Sequence, residues 1–260
     1  MILAGFLLFA VGAADLVRQF VPRRWIGYFV VIVALLVLGS SADALLPMVA
    51  AAVVAGLWVW TMPEQGESKL TFWPAVALAL LCVAAVVSIG DRGPAGVIGE
   101  VWHLQTPFGP TSFDLAMLVL GVFVFLLESS NRVVRAALAG EHAWHPVDVE
   151  ITSKTEFVTD ADGAASSADA TIVSTTARTG GFKGGRLIGP LERVIVFMLT
   201  LAGAYSLIAA MLAAKGIVRF PEISKDGETG ARAEYFLVGS LVSWVIALGA
   251  AFLVWWASHV

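Results

Sequence analysis

Apolar residues fill long runs of this chain, and polar residues fall in short clusters between them. Runs of about 17–25 apolar residues can cross a bilayer as helices. Seven such runs are legible, at about 1–17, 25–39, 44–62, 72–89, 113–130, 190–214 and 234–257. The first ends near Asp15 to Arg18 and is followed by Arg23 and Arg24. Gly39-Ser40-Ser41 closes the second as a tight polar turn. The third carries Pro47 near its start and Trp58 and Trp60 near its end, where aromatic rings favour the membrane interface. Between the fourth and fifth runs, Gly90 to Ser112 is rich in Gly and Pro, and Val97 to Leu104 predicts a short interfacial helix or a re-entrant turn. The fold this pattern predicts is an all-α polytopic transmembrane helix bundle of about seven spans with one polar segment.

Residues 141–184 break the pattern with Ser, Thr, Ala and Asp and little helical periodicity. VDVEITS and ATIVSTTA alternate weakly, which fits a loose β-hairpin or an extended linker. The chain thus divides into a membrane bundle of about five helices at 1–140, a polar cytoplasmic segment at 141–184, and a C-terminal helix pair with a charged connector at 185–260. Small residues recur at every fourth position in that pair. They are Ala202, Ser206, Ala210 and Ala214 in its first helix and Gly239, Ser243, Ala247 and Ala251 in its second. Such spacing puts each set on one helix face, and small side chains let backbones approach closely in lipid. The two faces are expected to pack on each other.

Composition sharpens the class. The chain has 260 residues, of which 58% are hydrophobic and 14% charged, and a mean hydropathy of +0.85. Soluble domains carry roughly 25% charged residues. A net charge of -4 argues against a nucleic-acid partner. The single cysteine, Cys82, lies in an apolar run; it excludes an internal disulfide and a cysteine-built metal cage. Residues 2–11 with Gly12-Ala13-Ala14 resemble a cleaved secretory signal, but no Lys or Arg precedes them, so a retained first helix is expected. Arg18, Arg23, Arg24, Arg132 and Arg135 fall on one side of a seven-span bundle, together with the polar segment. Basic loops stay cytoplasmic, so the N-terminus is expected outside and the C-terminus inside. That arrangement leaves the 215–233 connector outside, although it carries Lys215, Arg219, Lys225 and Arg232.

GRLIGPLERVIVF, AAKGIVRFPEI and AEYFLVGSLVS, with ESSNRVVR at the close of the fifth run, resemble the signature of a bacterial family of uncharacterised polytopic membrane proteins. The resemblance covers the last third of the chain and the end of the fifth run. It implies a multi-pass protein of the bacterial plasma membrane and a shared C-terminal helical pair, and it implies no chemistry.

The candidate residues admit two readings each. Glu192, Arg193, Lys215, Arg219, Glu222 and Glu234 sit near the ends of the last two runs. They form either a rim for an anionic head group, with Lys215 and Arg219 as its cations, or mutual ion pairs that pin the helices at the interface. Mutual pairing is the simpler reading, because opposite charges are present in matching number. Glu128 and Arg132 stand four apart and are expected to pair at a membrane boundary. Asp15 beside Arg18, and Asp43 beside a turn, read as ordinary boundary groups. Asp114 caps the start of the fifth run. His142 and His145 with Glu141 offer too few ligands for zinc, Asp160 to Gly163 is too short a calcium loop, and Gly180-Gly181 and Gly184-Gly185 read as a hinge.

No catalytic residue, metal or cofactor is implied. Three functions remain, in this order. The first is a non-enzymatic accessory or scaffold subunit docking on a larger membrane or cell-envelope complex. The second is a transporter or carrier binding an anionic lipid or small solute at the charged rim. The third is a membrane enzyme acting on a lipid-linked substrate. The expected partners are membrane lipid and another membrane protein. The order rests on the apparent lack of an intramembrane acid cluster, a broken mid-bilayer helix and a catalytic constellation.

Overall fold

A computed structural model of the chain describes residues 1–62, 72–88, 96–106, 109–140, 185–223 and 231–259. The polar segment 141–184, with its histidine pair, its Asp160 to Gly163 turn and its glycine hinge, lies outside the described residues. The described chain is α-helical apart from one minute hairpin. Its elements are α1 (Ile2–Phe20), α2 (Arg24–Ser41), α3 (Leu45–Thr61), α4 (Trp73–Ser88), α5 (Gly96–Val101), β1 (Gln105–Thr106), β2 (Gly109–Pro110), α6 (Phe113–Leu127), α7 (Ser129–Gly140), α8 (Gly185–Leu201), α9 (Tyr205–Ile223) and α10 (Ala231–Ala257). The Gly- and Pro-rich connector supplies α5 and the antiparallel β1–β2 pair. Its Trp102 indole donates to the Thr111 carbonyl at 2.9 Å and meets Phe113 edge-on.

α1 is the centre of the bundle. It packs most extensively on α6 and α3 and also touches α2 and α4. Its glycines make the closest of these contacts. A Cβ on Gly5 would stand 2.8 Å from the Leu118 backbone nitrogen, and one on Gly12 would stand 2.7 Å from that of Phe125. Gly121 of α6 faces the Gly5 carbonyl in return. Residues 5 and 12 of α1 thus meet 118 and 125 of α6, so the two helices run parallel. The Trp58–Asp15 and Arg18–Met62 contacts make α3 parallel to α1 as well. α2 lies outside, and most of its side chains are exposed.

Three helices are long and apolar enough by themselves to cross a membrane: Ile2–Phe20, Arg24–Ser41 and Ala233–Ala257. Phe113–Leu127 and Ser129–Ala139 pass the same test together, bent by 49° at Glu128. Leu45–Thr61, Trp73–Ser88 and Tyr205–Val218 are apolar but shorter.

The sixth run, expected as one continuous helix over 190–214, is corrected. It breaks at Ala202 to Ala204, where Gly203 adopts φ 70°. The Ala204 amide donates to the Leu199 carbonyl and the Gly203 amide to that of Thr200, closing the end of α8. Left-handed backbone favours glycine, which carries no Cβ to clash. α8 and α9 therefore form an antiparallel hairpin. Glu192 and Lys215, nearly equidistant in sequence from Gly203, meet across it. α9 consequently ends, and α10 begins, at the end of the bundle where α8 begins. α10 then runs back toward the end where α1 starts.

The expected packing of the two small-residue faces is also corrected. Ser243, Ala247 and Ala251 of α10 are buried, and Gly239 meets Leu138 of α7 at 3.5 Å from its would-be Cβ. α10 packs on α8 and α7, however, rather than along α9. Ala202, Ser206, Ala210 and Ala214 are all exposed. The cause is the reversal at Gly203, which turns α9 away before its small face can meet α10.

Candidate functional site: buried charges at a broken helix

The break between α6 and α7 organises the polar interior. Glu128 leaves helical geometry at φ -127° and ψ -40°. The last carbonyls of a helix have no partner within it, and bare carbonyls are costly where water is scarce. Side chains take them up here. Ser130 Oγ donates to the Leu126 carbonyl at 2.7 Å, Arg193 Nε to the same carbonyl at 3.4 Å, and Asn131 Nδ2 to that of Leu127 at 3.5 Å. A guanidinium at the C-terminal end of α6 also complements the helix dipole. Arg193 continues outward to Ser243 Oγ at 3.3 Å and to Asn131 Oδ1, so one arginine ties α6, α7, α8 and α10 together.

Asp15 is the centre of a second cluster, on the face of α1 turned toward α3 and α7. It is fully buried. Its Oδ2 accepts from the Trp58 indole at 2.9 Å and from Ser129 Oγ at 2.7 Å. Its Oδ1 lies 3.0 Å from Arg132 Nε and 3.6 Å from Arg18 Nη1. The Arg132 contact is an ion pair without good hydrogen-bond direction. Arg18 Nη1 also donates to the Met62 carbonyl at 3.0 Å, at the end of α3.

This arrangement bears on several sequence expectations. Arg132 Nε lies 3.0 Å from Asp15 Oδ1, a partner that four-residue spacing does not offer. Glu128 directly precedes α7, its carbonyl accepting the Arg132 amide at 3.3 Å. Its buried carboxylate is taken up by Asn131 at 3.3 Å and Arg135 at 3.4 Å. Among the described rim side chains, one mutual ion pair forms, as the simpler reading expects. Glu192 binds Lys215 at 2.7 Å and accepts the Trp244 indole at 2.8 Å, with the Lys215 ammonium 5.5 Å from the Trp244 ring centre. Arg193, its sequence neighbour, points inward on another face. Glu234 is exposed, and the side chains of Arg219 and Glu222 fall outside the described residues. A broken helix, which the sequence did not reveal, is present at Glu128, and Asp15 and Glu128 are two buried carboxylates in separate clusters. Asp15 was legible as a boundary carboxylate beside Arg18 at the end of an apolar run. Arg132, far along the chain, could not be read as its partner.

What the clusters can do chemically follows from their pairing. Each buried carboxylate has a cation and further donors, so neither stands ready as a general base. Among the described residues, no group of three or more His, Cys, Asp or Glu is placed to hold a metal. The arrangement binds helices together. It belongs to an all-α protein whose apolar helices suit a membrane. Compared with protein-family models, curated proteins and solved structures, the chain matches none.

Proposed function

We propose that the protein is a multi-pass component of the bacterial plasma membrane and a non-enzymatic accessory or scaffold subunit that docks on a larger membrane or envelope complex. One observation carries this reading: the small-residue face of α9 is unused within the described chain, while that of α10 is spent on internal packing. A face of Ser206, Ala210 and Ala214 lets a foreign helix backbone approach closely. The Lys215–Glu192 pair holds α9 against the bundle and so presents that face at a fixed place. A carrier working at the charged rim is less well supported, because Glu192 already neutralises Lys215 and Arg193 is turned inward. In this reading six of the seven runs cross the membrane, and the sixth run is a hairpin that returns to its own side.

The test is purification in mild detergent. The wild-type chain should bring down a partner in fixed ratio, and Ala210→Leu with Ala214→Leu should release it while leaving the chain folded. A wild-type chain that runs alone overturns the proposal.

A further inference from the structure

α3 and α4 both pack on α1 but diverge from each other. Between them lies a cleft of about 400 Å³ whose walls include Leu57, Trp58, Thr61, Trp73, Ala77 and Leu81. Leu57, Trp73 and Leu81 are exposed, so the cleft opens sideways from the bundle toward the surrounding acyl layer. Its walls are almost wholly apolar, with the Thr61 hydroxyl at one end, and nothing in them would orient a polar solute. The inner wall is Trp58, whose indole nitrogen is already given to Asp15, so only its ring is offered.

One end of the cleft is distinctive. Thr61 closes α3 and Trp73 opens α4, so this end coincides with the end of α1. The Arg18 guanidinium sits there on the Met62 carbonyl, and Arg23 and Arg24 stand exposed at the start of α2, which packs against α1 and α3. An apolar slot with cations at one end matches a molecule that is apolar along its length and anionic at its head. We infer that the α3–α4 cleft holds one acyl chain of an anionic phospholipid, with the phosphate at the Arg23–Arg24 end. This site is separate from the α9 face, so either proposal can fail without the other.

The test uses the full-length protein in mild detergent. It is titrated with phosphatidylglycerol and, separately, with phosphatidylcholine carrying the same chains, and bound lipid is read by native mass spectrometry. One phosphatidylglycerol per chain should bind at about fivefold or more lower lipid concentration than phosphatidylcholine, the scale of a basic residue near an anionic head group. Ala77→Phe should remove that adduct, and Leu81→Trp should do the same by a second route. Both positions are exposed, and circular dichroism checks that the variants fold. Arg23→Gln with Arg24→Gln should retain lipid but lose the head-group preference. Equal binding of both lipids by the wild-type chain overturns the inference. So does an adduct that survives both plugging substitutions, or a plug that displaces a protein partner and no lipid.

Discussion

Burying Asp15 is expensive, and its surroundings show how that cost is met. A carboxylate removed from water loses several kcal/mol of solvation unless a cation and hydrogen-bond donors replace it. Arg132, Trp58 and Ser129 supply both. Removing one partner leaves the other charge stranded, which typically costs about 3–5 kcal/mol. Arg132→Gln should therefore lower stability strongly in detergent unfolding, and Asp15→Asn somewhat less, because the amide oxygen still accepts from Trp58 and Ser129. The double variant should be clearly more stable than the two single losses added together. Strict additivity in that cycle would show that the pair is not coupled. The sequence shows why only half of this was readable. Arg18 is the cation three residues from Asp15, and it does lie near the carboxylate. The closer arginine lies on α7, brought there by the packing of α6 beside α1, which no local pattern encodes.

At the level of helices, the physics of small-residue packing was legible and its location was not. Spacing marks which residues share a face, but not which face is covered. The four-residue stripes of α9 and α10 looked like one interface. The close approach falls instead between α1 and α6, where Gly5, Gly12 and Gly121 leave no space for a side chain. Those glycines are too sparse to draw a stripe by eye. Gly12→Ala forces a methyl to within 2.7 Å of the Phe125 backbone nitrogen. Overpacking of this kind costs about 1–3 kcal/mol. Gly56→Ala is the matched control. Nothing lies within 4 Å of its would-be Cβ, and replacing a mid-helix glycine stabilises by roughly 0.5–1 kcal/mol. Opposite signs for the two variants in thermal unfolding are the expected outcome. Equal effects would place the α1–α6 contact elsewhere. Gly203 was similarly unremarkable in sequence, one glycine in an apolar run. Its positive φ is what turns a long helix into a hairpin.

In the multi-pass arrangement we propose, that hairpin decides which side each connection faces. Read as one span, the sixth run puts the 215–233 connector outside with four basic residues, against the rule that Lys and Arg stay in the cytoplasm. Folded back at Gly203, it returns α9 to the side it left. With the proposed crossings, every lysine and arginine except Arg92 falls in the sequence on one side, together with the polar segment. The N- and C-termini share the other side. The conflict in the sequence was thus a sign of the missed turn, since charge placement constrains topology more firmly than hydropathy constrains helix ends. The two topologies differ at Glu234, which opens α10 and is exposed. Cys82 is buried and so adds little background to labelling of introduced cysteines. With a membrane-impermeant maleimide on intact cells, His259→Cys should label at once. Arg23→Cys and Glu234→Cys should label only after the membrane is permeabilised. Labelling of Glu234→Cys from outside, with His259→Cys protected, would restore the continuous sixth span, and the exposed α9 face would lose its basis with it.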